Sequence, residues 1–464
     1  MDILKVIAEE FKNHEVSCYY VGGTVRDKIL GIPNDDIDIC LVGVKDKSLV
    51  EHIIRKHGMI TQEVGKSFPN WVAILDKRKI DFALARTERL TGDTRQDFTC
   101  STENVTIVQD LYRRDLTINA IAEDVLTNEI IDPYNGIQDL QDKVARNVSD
   151  AFAEDTLRVV RAARFIARFG LTPSESLINI CKTLNPNDIS NERVGMELMK
   201  LFTLPEGIQV SKFFYFLKDV NWLRYHFNEL ANIIGVPQSK SHHPEGCVFT
   251  HTMYCIDAAK DWFMRAVMLC HDLGKYTNTT IDGLHWQVHE MAGIYFNRNI
   301  VQKFKVQSIG HEAAGVSLTY NMLKRISFTK HDIISQIGCL VKLHMIRAVI
   351  NKDNEEKIVR RNLRELMHYK LDYELLVETV RCDLAGRPPL EPILPDIGQQ
   401  RAKELIKNNE MIPVVTGKLL KKSGFNDGEM MGNIIKRALE LQDRGILSHE
   451  NWKQRLKSDG FKLT

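Results

Sequence analysis

Two aspartates, Asp36 and Asp38, stand in the stretch DDIDICLV with a single isoleucine between them. In an extended strand, side chains two residues apart share a face and lie about 6–7 Å from one another. Carboxylates that close repel unless divalent cations sit between them. Upstream, Gly22 and Gly23 carry no side chains to keep backbone N–H groups away from a phosphate. A phosphate cradle beside a carboxylate pair is the equipment for two-metal phosphoryl transfer. Either feature alone is more simply a tight turn or a solvent-facing acidic edge. Their order and spacing together carry the argument.

The elements that must position these residues follow from the surrounding pattern. The apolar run from Val16 to Val21 predicts a short buried strand ending at the glycine pair. A helix is expected from Thr24, with Thr24 as its N-cap, stopping at Gly31 ahead of Pro33. Asp36 to Val42 reads as the next strand. Lys45 to Gly58 then predicts a helix, followed by strands over Trp71–Leu75 and Lys79–Ala85 with a charged turn, Asp76-Lys77-Arg78, between them.

The string GG-x-VRD followed by LG-x-P-x-x-D-x-D resembles the head of the class II tRNA nucleotidyltransferases of the polymerase-β-like superfamily. That family includes CCA-adding enzymes and bacterial poly(A) polymerases. The resemblance implies two Mg²⁺ ions held by Asp36 and Asp38, with Gly22, Gly23, Arg26 and Asp27 shaping the nucleotide cradle. It also puts Asp81, in IDFALARTE, where relatives carry a third acidic residue near the metals. A polar residue on an exposed strand face explains Asp81 equally well.

Residues 86–109 are polar and read as a loop; in the resembled family this segment helps the switch from adding C to adding A. Next, in QDLYRRDLTINAIAED, Asp110, Arg113, Arg114 and Asp115 crowd what reads as a helix start, with Asn119 following on the same helix. This resembles the family's RRDxTxNA motif, which contacts the incoming nucleotide's ribose and phosphates. The guanidinium of Arg113 or Arg114 matches phosphate geometry. Internal Asp–Arg pairing is the plain alternative.

A third stretch, EDTLRVVRAARFIARFG, predicts a helix over Glu154–Gly170. Arg158, Arg161, Arg164 and Arg168 line one face and Val160, Ala163, Ile166 and Ala167 the other. Asp155 would project beside Arg158 one turn away. The resemblance makes this pair a protein template. A carboxylate acceptor next to a guanidinium donor fits the Watson–Crick edges of cytosine and adenine, and mismatches uracil and guanine.

Further on, His251 in FTHTMYC, His271 and Asp272 in LCHDLGK, His311 in GHEAAG, His344 in LVKLHM and Asp383 in VRCDLAGR resemble the HD metal-dependent phosphohydrolases, as carried by bacterial-type CCA-adding enzymes. Neutral imidazoles with carboxylates suit Ni²⁺, Co²⁺, Mn²⁺ or Zn²⁺. The stretch between LGK and GHE is long, so His285 and His289 compete with His311 and His344 as ligands. After the prolines at 388, 389, 392 and 395, the tail resembles the family's tRNA-elbow grip. Lys418, Lys421, Lys422 and Lys436 are its expected phosphate contacts, and Gly424 and Gly428 frame a turn between helices.

Composition limits the alternatives. The chain has 464 residues, 62 Lys/Arg against 61 Asp/Glu, and no apolar run of membrane-spanning length. Any RNA surface must therefore be local. The amphipathic, acidic start MDILKVIAEEFKNHE is not a secretory signal. Nine scattered cysteines without C-x-x-C pairs, Cys255 and Cys270 among them, suggest reduced thiols and a cytoplasmic protein. The expectation is an α+β chain: a mixed-sheet nucleotidyltransferase head (1–140), then all-α neck and body (141–235), HD (236–390) and tail (391–464) segments. Its expected partners are CTP, ATP and tRNA, as a monomer or homodimer. The rivals are a poly(A) polymerase and a tRNA-end phosphohydrolase with a vestigial head.

Overall fold

The computed structural model describes residues 3–64, 70–75, 78–90, 98–291, 305–423, 425 and 428–461. The charged turn expected at Asp76-Lys77 and the glycine expected to turn the chain at Gly424 lie outside them. The chain forms two compact units, one of residues 1–197 and 208–226 and the other of residues 198–207 and 227–464.

The first unit is built on a seven-stranded mixed sheet. Its strands are β1 (Ser17–Val21), β2 (Asp36–Val42), β3 (Ile60–Val64), β4 (Asn70–Leu75) and β5 (Arg78–Leu84), with β6 (Thr87–Leu90) and β7 (Phe98–Ser101) forming a separate ribbon. β8 (Ala122–Asp124) and β9 (Ile130–Ile131) complete the main sheet, in the order β3-β4-β5-β2-β1-β8-β9. β2 and β5 run parallel, and every other neighbouring pair in the sheet is antiparallel.

Alternation along β2 decides which face does what. Ile39 and Leu41 enter a core with Ile7 and Phe11 of α1 (Ile3–Asn13), Ile53 and Ile54 of α3 (Lys47–Lys56), Trp71 and Phe82. Cys40 faces the other way, into a smaller cluster with Val21, Leu111 and Ala120. Asp36 and Asp38 share the parity of Cys40, so they look towards the segment that carries Arg113 and Arg114.

Three local expectations are corrected. The helix α2 runs Gly23–Ile29 with Gly22, not Thr24, at its N-cap. The Thr24 hydroxyl instead accepts the Asp38 backbone N–H at 2.8 Å and donates to the Asp36 carbonyl at 3.4 Å, so it pins β2 to the helix. The segment after β5 contains the β6–β7 ribbon rather than a loop throughout. Its threonines explain the strands, since a β-branched side chain fits an extended backbone even when polar. Finally, α4 covers Ile107–Tyr112, opened by a capping box between Thr106 and Gln109. Arg113, Arg114 and Asp115 therefore follow a helix rather than start one, and Asn119 lies in a separate 3₁₀ turn, Thr117–Asn119.

After the sheet come α5 (Gly136–Gln141) and α6 (Leu157–Phe169), which ends at Gly170 in the left-handed region at φ 67°. The predicted apolar face of α6 is buried, with Val160 and Ala163 fully so.

Among the described residues, the regular elements of the second unit are helices and a small three-stranded sheet of Thr280–Ile281, Leu284–His285 and Val306–Gln307. That sheet lies between LGK and GHE. Five helices matter for the site: Val248–Ala258, Trp262–Cys270, His311–Arg325, His331–Leu343 and Tyr373–Ala385. Arg265, fully buried, donates to the carbonyls of Phe202, Leu204 and Pro205 and ties the 198–207 segment into this unit. The last four helices run from Gln399 to Ser458, and the final three share their own core of Val415, Leu420, Ile434, Leu441 and Leu456. No helix among the described residues is long and apolar enough to cross a membrane.

Candidate functional site

In the first unit the parallel register between β2 and β5 sets Asp38 beside Asp81 and Asp36 beside Lys79. Residues paired across a sheet point to the same side, so Asp36, Asp38 and Asp81 form one acidic face. Burial raises the Asp38 carboxyl above its ordinary pKa; Arg114 opposes this, while Asp81 and Asp36 add to it. Lys79 reaches Asp81 Oδ2 at 2.6 Å, but the buried Oδ1 has no hydrogen-bond partner. An orphaned oxygen in a carboxylate cluster fits a divalent cation of the hard, oxygen-preferring kind.

Gly22 adopts φ 63°, and a Cβ there would come within 2.9 Å of Arg114 Nη1. The glycine thus lets a guanidinium lie against the turn, next to the carboxylates. Arg114 is steadied by Asp110, which it meets at 3.0 Å, and Arg113 binds the other oxygen of Asp110 at 2.7 Å. Both arginines keep part of their surface open.

Arg26 and Asp27 follow the glycine pair on α2. Both are buried and joined to each other at 2.7 Å. Arg26 also donates to Asn119 Oδ1 and stacks over Phe165 and Phe169 of α6, 5.2 and 4.7 Å from the ring centres. Asn119 donates to Asp115 at 2.9 Å, Arg161 meets Asp115 at 2.8 Å, and Arg168 meets Asp27 at 3.2 Å. Burial disfavours the Asp115 carboxylate, yet Arg161 and these hydrogen bonds hold it well below the usual range. These residues weld α2 and the 115–119 segment to α6. Gly23 lies near Arg26 and Asn34, which in turn donates to Asp27.

Asp155 precedes α6 instead of lying on it. Its carboxylate accepts the Leu157 N–H at 3.1 Å and pairs with Arg193 at 3.1 Å, while Arg158 donates to the Ala151 carbonyl. Arg164 is buried against Glu197 at 2.6 Å. The sequence reading missed Asn34, which acts locally on Asp27, and Arg193 and Glu197, which only the fold brings to Asp155 and Arg164; Thr24 was read as a cap and not as the anchor of β2.

In the second unit the six expected ligands meet. His251 lies within its helix, His271 and His344 cap the ends of theirs, and His311 opens its own. His271, His311 and His344 each direct Nδ1 to a backbone carbonyl three residues back, at 2.7, 2.6 and 2.6 Å. His251 Nδ1 faces the Gly386 carbonyl and Glu245 Oε1, at 3.0 and 2.8 Å. With Nδ1 so occupied, all four Nε2 atoms turn inward, the tautomer that metal ligands need.

Asp272 lies between two groups. Its Oδ2 is 3.3 Å from His271 and 3.7 Å from His251, and its Oδ1 is 3.2 Å from His311 and 3.7 Å from His344. Asp383 Oδ1 is 3.0 Å from His251. His271 Nε2 and both Asp272 oxygens are buried without a partner in hydrogen-bonding geometry, so the donor set fits metal. Burial disfavours the charged form of His271, but Asp272 raises its pKa to about 10.

A cavity of about 330 Å³ opens onto Asp272, His311, His344 and Asp383, with Lys275, Arg347, Arg387 and His243 also in its lining. Lys275 reaches Asp272 at 2.7 Å and Arg347 reaches Asp383 at 3.0 Å. Sequence reasoning passed over these cations, although Lys275 closes the HDLGK string and Arg387 follows CDLAG. The competitor His285 turns Nε2 to the Tyr276 carbonyl at 3.2 Å and stays out of the cluster. The His289 side chain lies outside the described residues. Lys418, Lys421 and Lys422 are exposed on the short helix Gly417–Lys422, and Lys436 is exposed on Glu429–Asp443.

A mixed sheet with an acidic face and a glycine turn, joined to a helical body, defines a nucleotidyltransferase head. Residues 18–146 match the family model described as the poly A polymerase head domain. The multifunctional CCA protein of Actinobacillus pleuropneumoniae serotype 5b is 37% identical over 306 residues, 62% of this chain and 71% of that protein. That of Haemophilus influenzae is 36% identical over 321 residues, 65% of this chain and 74% of that protein. The chain belongs to the multifunctional CCA protein family. Its fold is similar to that of the Bacillus stearothermophilus CCA-adding enzyme in complex with CTP, at 18% identity and a TM-score of 0.61, covering 98% of each chain.

Proposed function

We propose that this protein is a CCA-adding tRNA nucleotidyltransferase, which extends the 3′ end of tRNA with C, C and A from CTP and ATP without a nucleic-acid template. The observation that carries the reading is the β2–β5 register, which gathers Asp36, Asp38 and Asp81 on one face beside Gly22 and Arg114. Mg²⁺ ions bound there would activate the tRNA 3′-hydroxyl and neutralise the developing charge on the triphosphate. The protein's own part is positional. Arg114 and Arg113, held by Asp110, offer guanidinium forks to phosphate oxygens, while the Arg26–Asn119–Asp115–Arg161 chain fixes the distance from α6 to the acidic face. Incubation with tRNA lacking its 3′ end and one labelled nucleotide at a time tests this. Two CTP additions followed by one ATP addition support it. Runs of A on unrelated RNA would instead mean a poly(A) polymerase.

Asp155 and Arg158 read the base in this proposal, with Asp155 released from Arg193 when a nucleotide arrives. Exchanging them, Asp155→Arg with Arg158→Asp, reverses the donor–acceptor order. Preference for CTP and ATP is expected to move towards UTP or GTP, at a large loss of rate because the pocket around the pair is unchanged. Measuring kcat/KM for all four nucleotides on one tRNA decides it. An active exchanged enzyme that still chose CTP and ATP as strongly would mean that another surface reads the base.

A second activity is favoured by the convergence of four Nε2 atoms on Asp272 and Asp383. A transition metal such as Ni²⁺, Co²⁺, Mn²⁺ or Zn²⁺ bound there would supply an activated water for phosphate-ester hydrolysis. Lys275, Arg347 and Arg387 give the cavity the charge to hold a phosphate. We assign nucleotide transfer to 1–140, base reading to 141–235, the HD phosphohydrolase to 236–390 and tRNA-elbow contact to 391–464, through Lys418, Lys421, Lys422 and Lys436. The enzyme is read as cytoplasmic, a monomer or homodimer.

A further inference from the structure

Cys255 lies one helical turn beyond His251 on the helix Val248–Ala258, so both side chains leave the same face. The plain account of a fully buried cysteine is a small hydrophobic side chain. Its surroundings are otherwise. Sγ stands 3.4 Å from His251 Nε2, and Sγ, His251, His271 and Asp383 offer ligand atoms that all lie within 4.8 Å of one another. A tetrahedral ion with a sulfur ligand at ~2.3 Å and a nitrogen at ~2.0 Å holds the two donors about 3.5 Å apart. His271 Nε2, fully buried, has no hydrogen-bond partner and belongs to this same group. Opposite, Gly386 leaves the room that Sγ occupies, since a Cβ there would come within 2.2 Å of the sulfur.

We propose that Cys255 donates its sulfur as a thiolate to the metal ion held by His251, His271 and Asp383. The thiol proton leaves to solvent as the ion binds. A sulfur ligand makes this half of the centre soft, so it takes zinc or cobalt in preference to manganese or magnesium. The half formed by Asp272, His311 and His344 has only nitrogen and oxygen donors and keeps the broader choice. The proposal rests on the phosphohydrolase reading only in requiring a metal at this cluster.

The test uses the reduced, full-length protein, stripped of metal and reloaded with Co²⁺ or Zn²⁺. Wild-type protein with cobalt is expected to show a near-ultraviolet thiolate-to-cobalt charge-transfer band. Cys255→Ser should retain cobalt by mass spectrometry, lose the band and bind zinc about tenfold or more weakly. Cys247→Ser, altering a half-buried thiol outside the cluster, should keep the band. X-ray absorption of the zinc-loaded wild type should show a sulfur neighbour at about 2.3 Å; this measurement decides the matter if Cys255→Ser does not fold. Cobalt bound without the band, a band lost only in Cys247→Ser, or a zinc shell of nitrogen and oxygen alone would each overturn the proposal. Wild-type protein that takes up no metal at this cluster would overturn it together with the phosphohydrolase reading. A sulfur-bound metal in a protein without phosphohydrolase activity would overturn that reading alone.

Discussion

Purified Asp38→Ala protein is expected to keep its fold and to lose CTP and ATP incorporation by at least about 10³-fold, equivalent to roughly 4 kcal/mol of transition-state stabilisation. The fold should survive because the bond that holds this part of β2 to α2 runs from the Asp38 backbone N–H to Thr24, and alanine keeps that N–H. The carboxylate itself contributes little to stability. Burial already works against its charge, and Asp81 and Asp36 add like-charge repulsion. Thermal unfolding should therefore be unchanged or slightly raised, while activity collapses. Substantial addition by folded Asp38→Ala protein would remove the acidic face from the mechanism.

Asp272→Ala is expected to abolish metal-dependent phosphohydrolysis and to lower metal uptake by the second unit while sparing nucleotide addition. Asp272 is the carboxylate of the half completed by His311 and His344, and its Oδ2 also faces His271 and His251, so its loss empties that half and leaves metal only with Cys255, His251, His271 and Asp383. His271→Ala removes a ligand from one half only, and some metal should remain with Asp272, His311 and His344. Asp272→Asn, which preserves shape but not charge, should behave like Asp272→Ala if ligation is what matters. Paired assays on one preparation, with metal content measured alongside, check this. Loss of both activities in a stable Asp272→Asn protein would show that the two sites are not independent.

Periodicity made β2 legible to the residue, because a short apolar strand with alternating aspartates has one reasonable conformation. It also exposed the buried face of α6 and put His271 and Asp272 at the end of an apolar helix. It failed at Asp110–Asn119, where charged residues follow α4 instead of opening it; Asp110 with two arginines is the same cluster at either helix end. Arg26 and Asp27 were legible as functional types but not as a buried couple, since their partners, Phe165, Phe169 and Arg168, lie far along the chain. Cys255 was read as an ordinary buried thiol. Its helical distance from His251 was visible, but the approach of His271 and Asp383 depends on two further helices.

The excursion of residues 198–207 into the second unit bears on how such a gene can be cut and rejoined. No single breakpoint divides the chain into its two compact units, because the first resumes at 208 after the second has begun. A fragment starting after 207 would carry Arg265 without the carbonyls of Phe202, Leu204 and Pro205. Several donors of a buried guanidinium would then lack acceptors, a defect of several kcal/mol. Recombination that exchanges one half for a relative's must carry this ten-residue piece with the later half, at two extra junctions. A chimera joined at any single junction is therefore expected to unfold at a lower temperature than either parent.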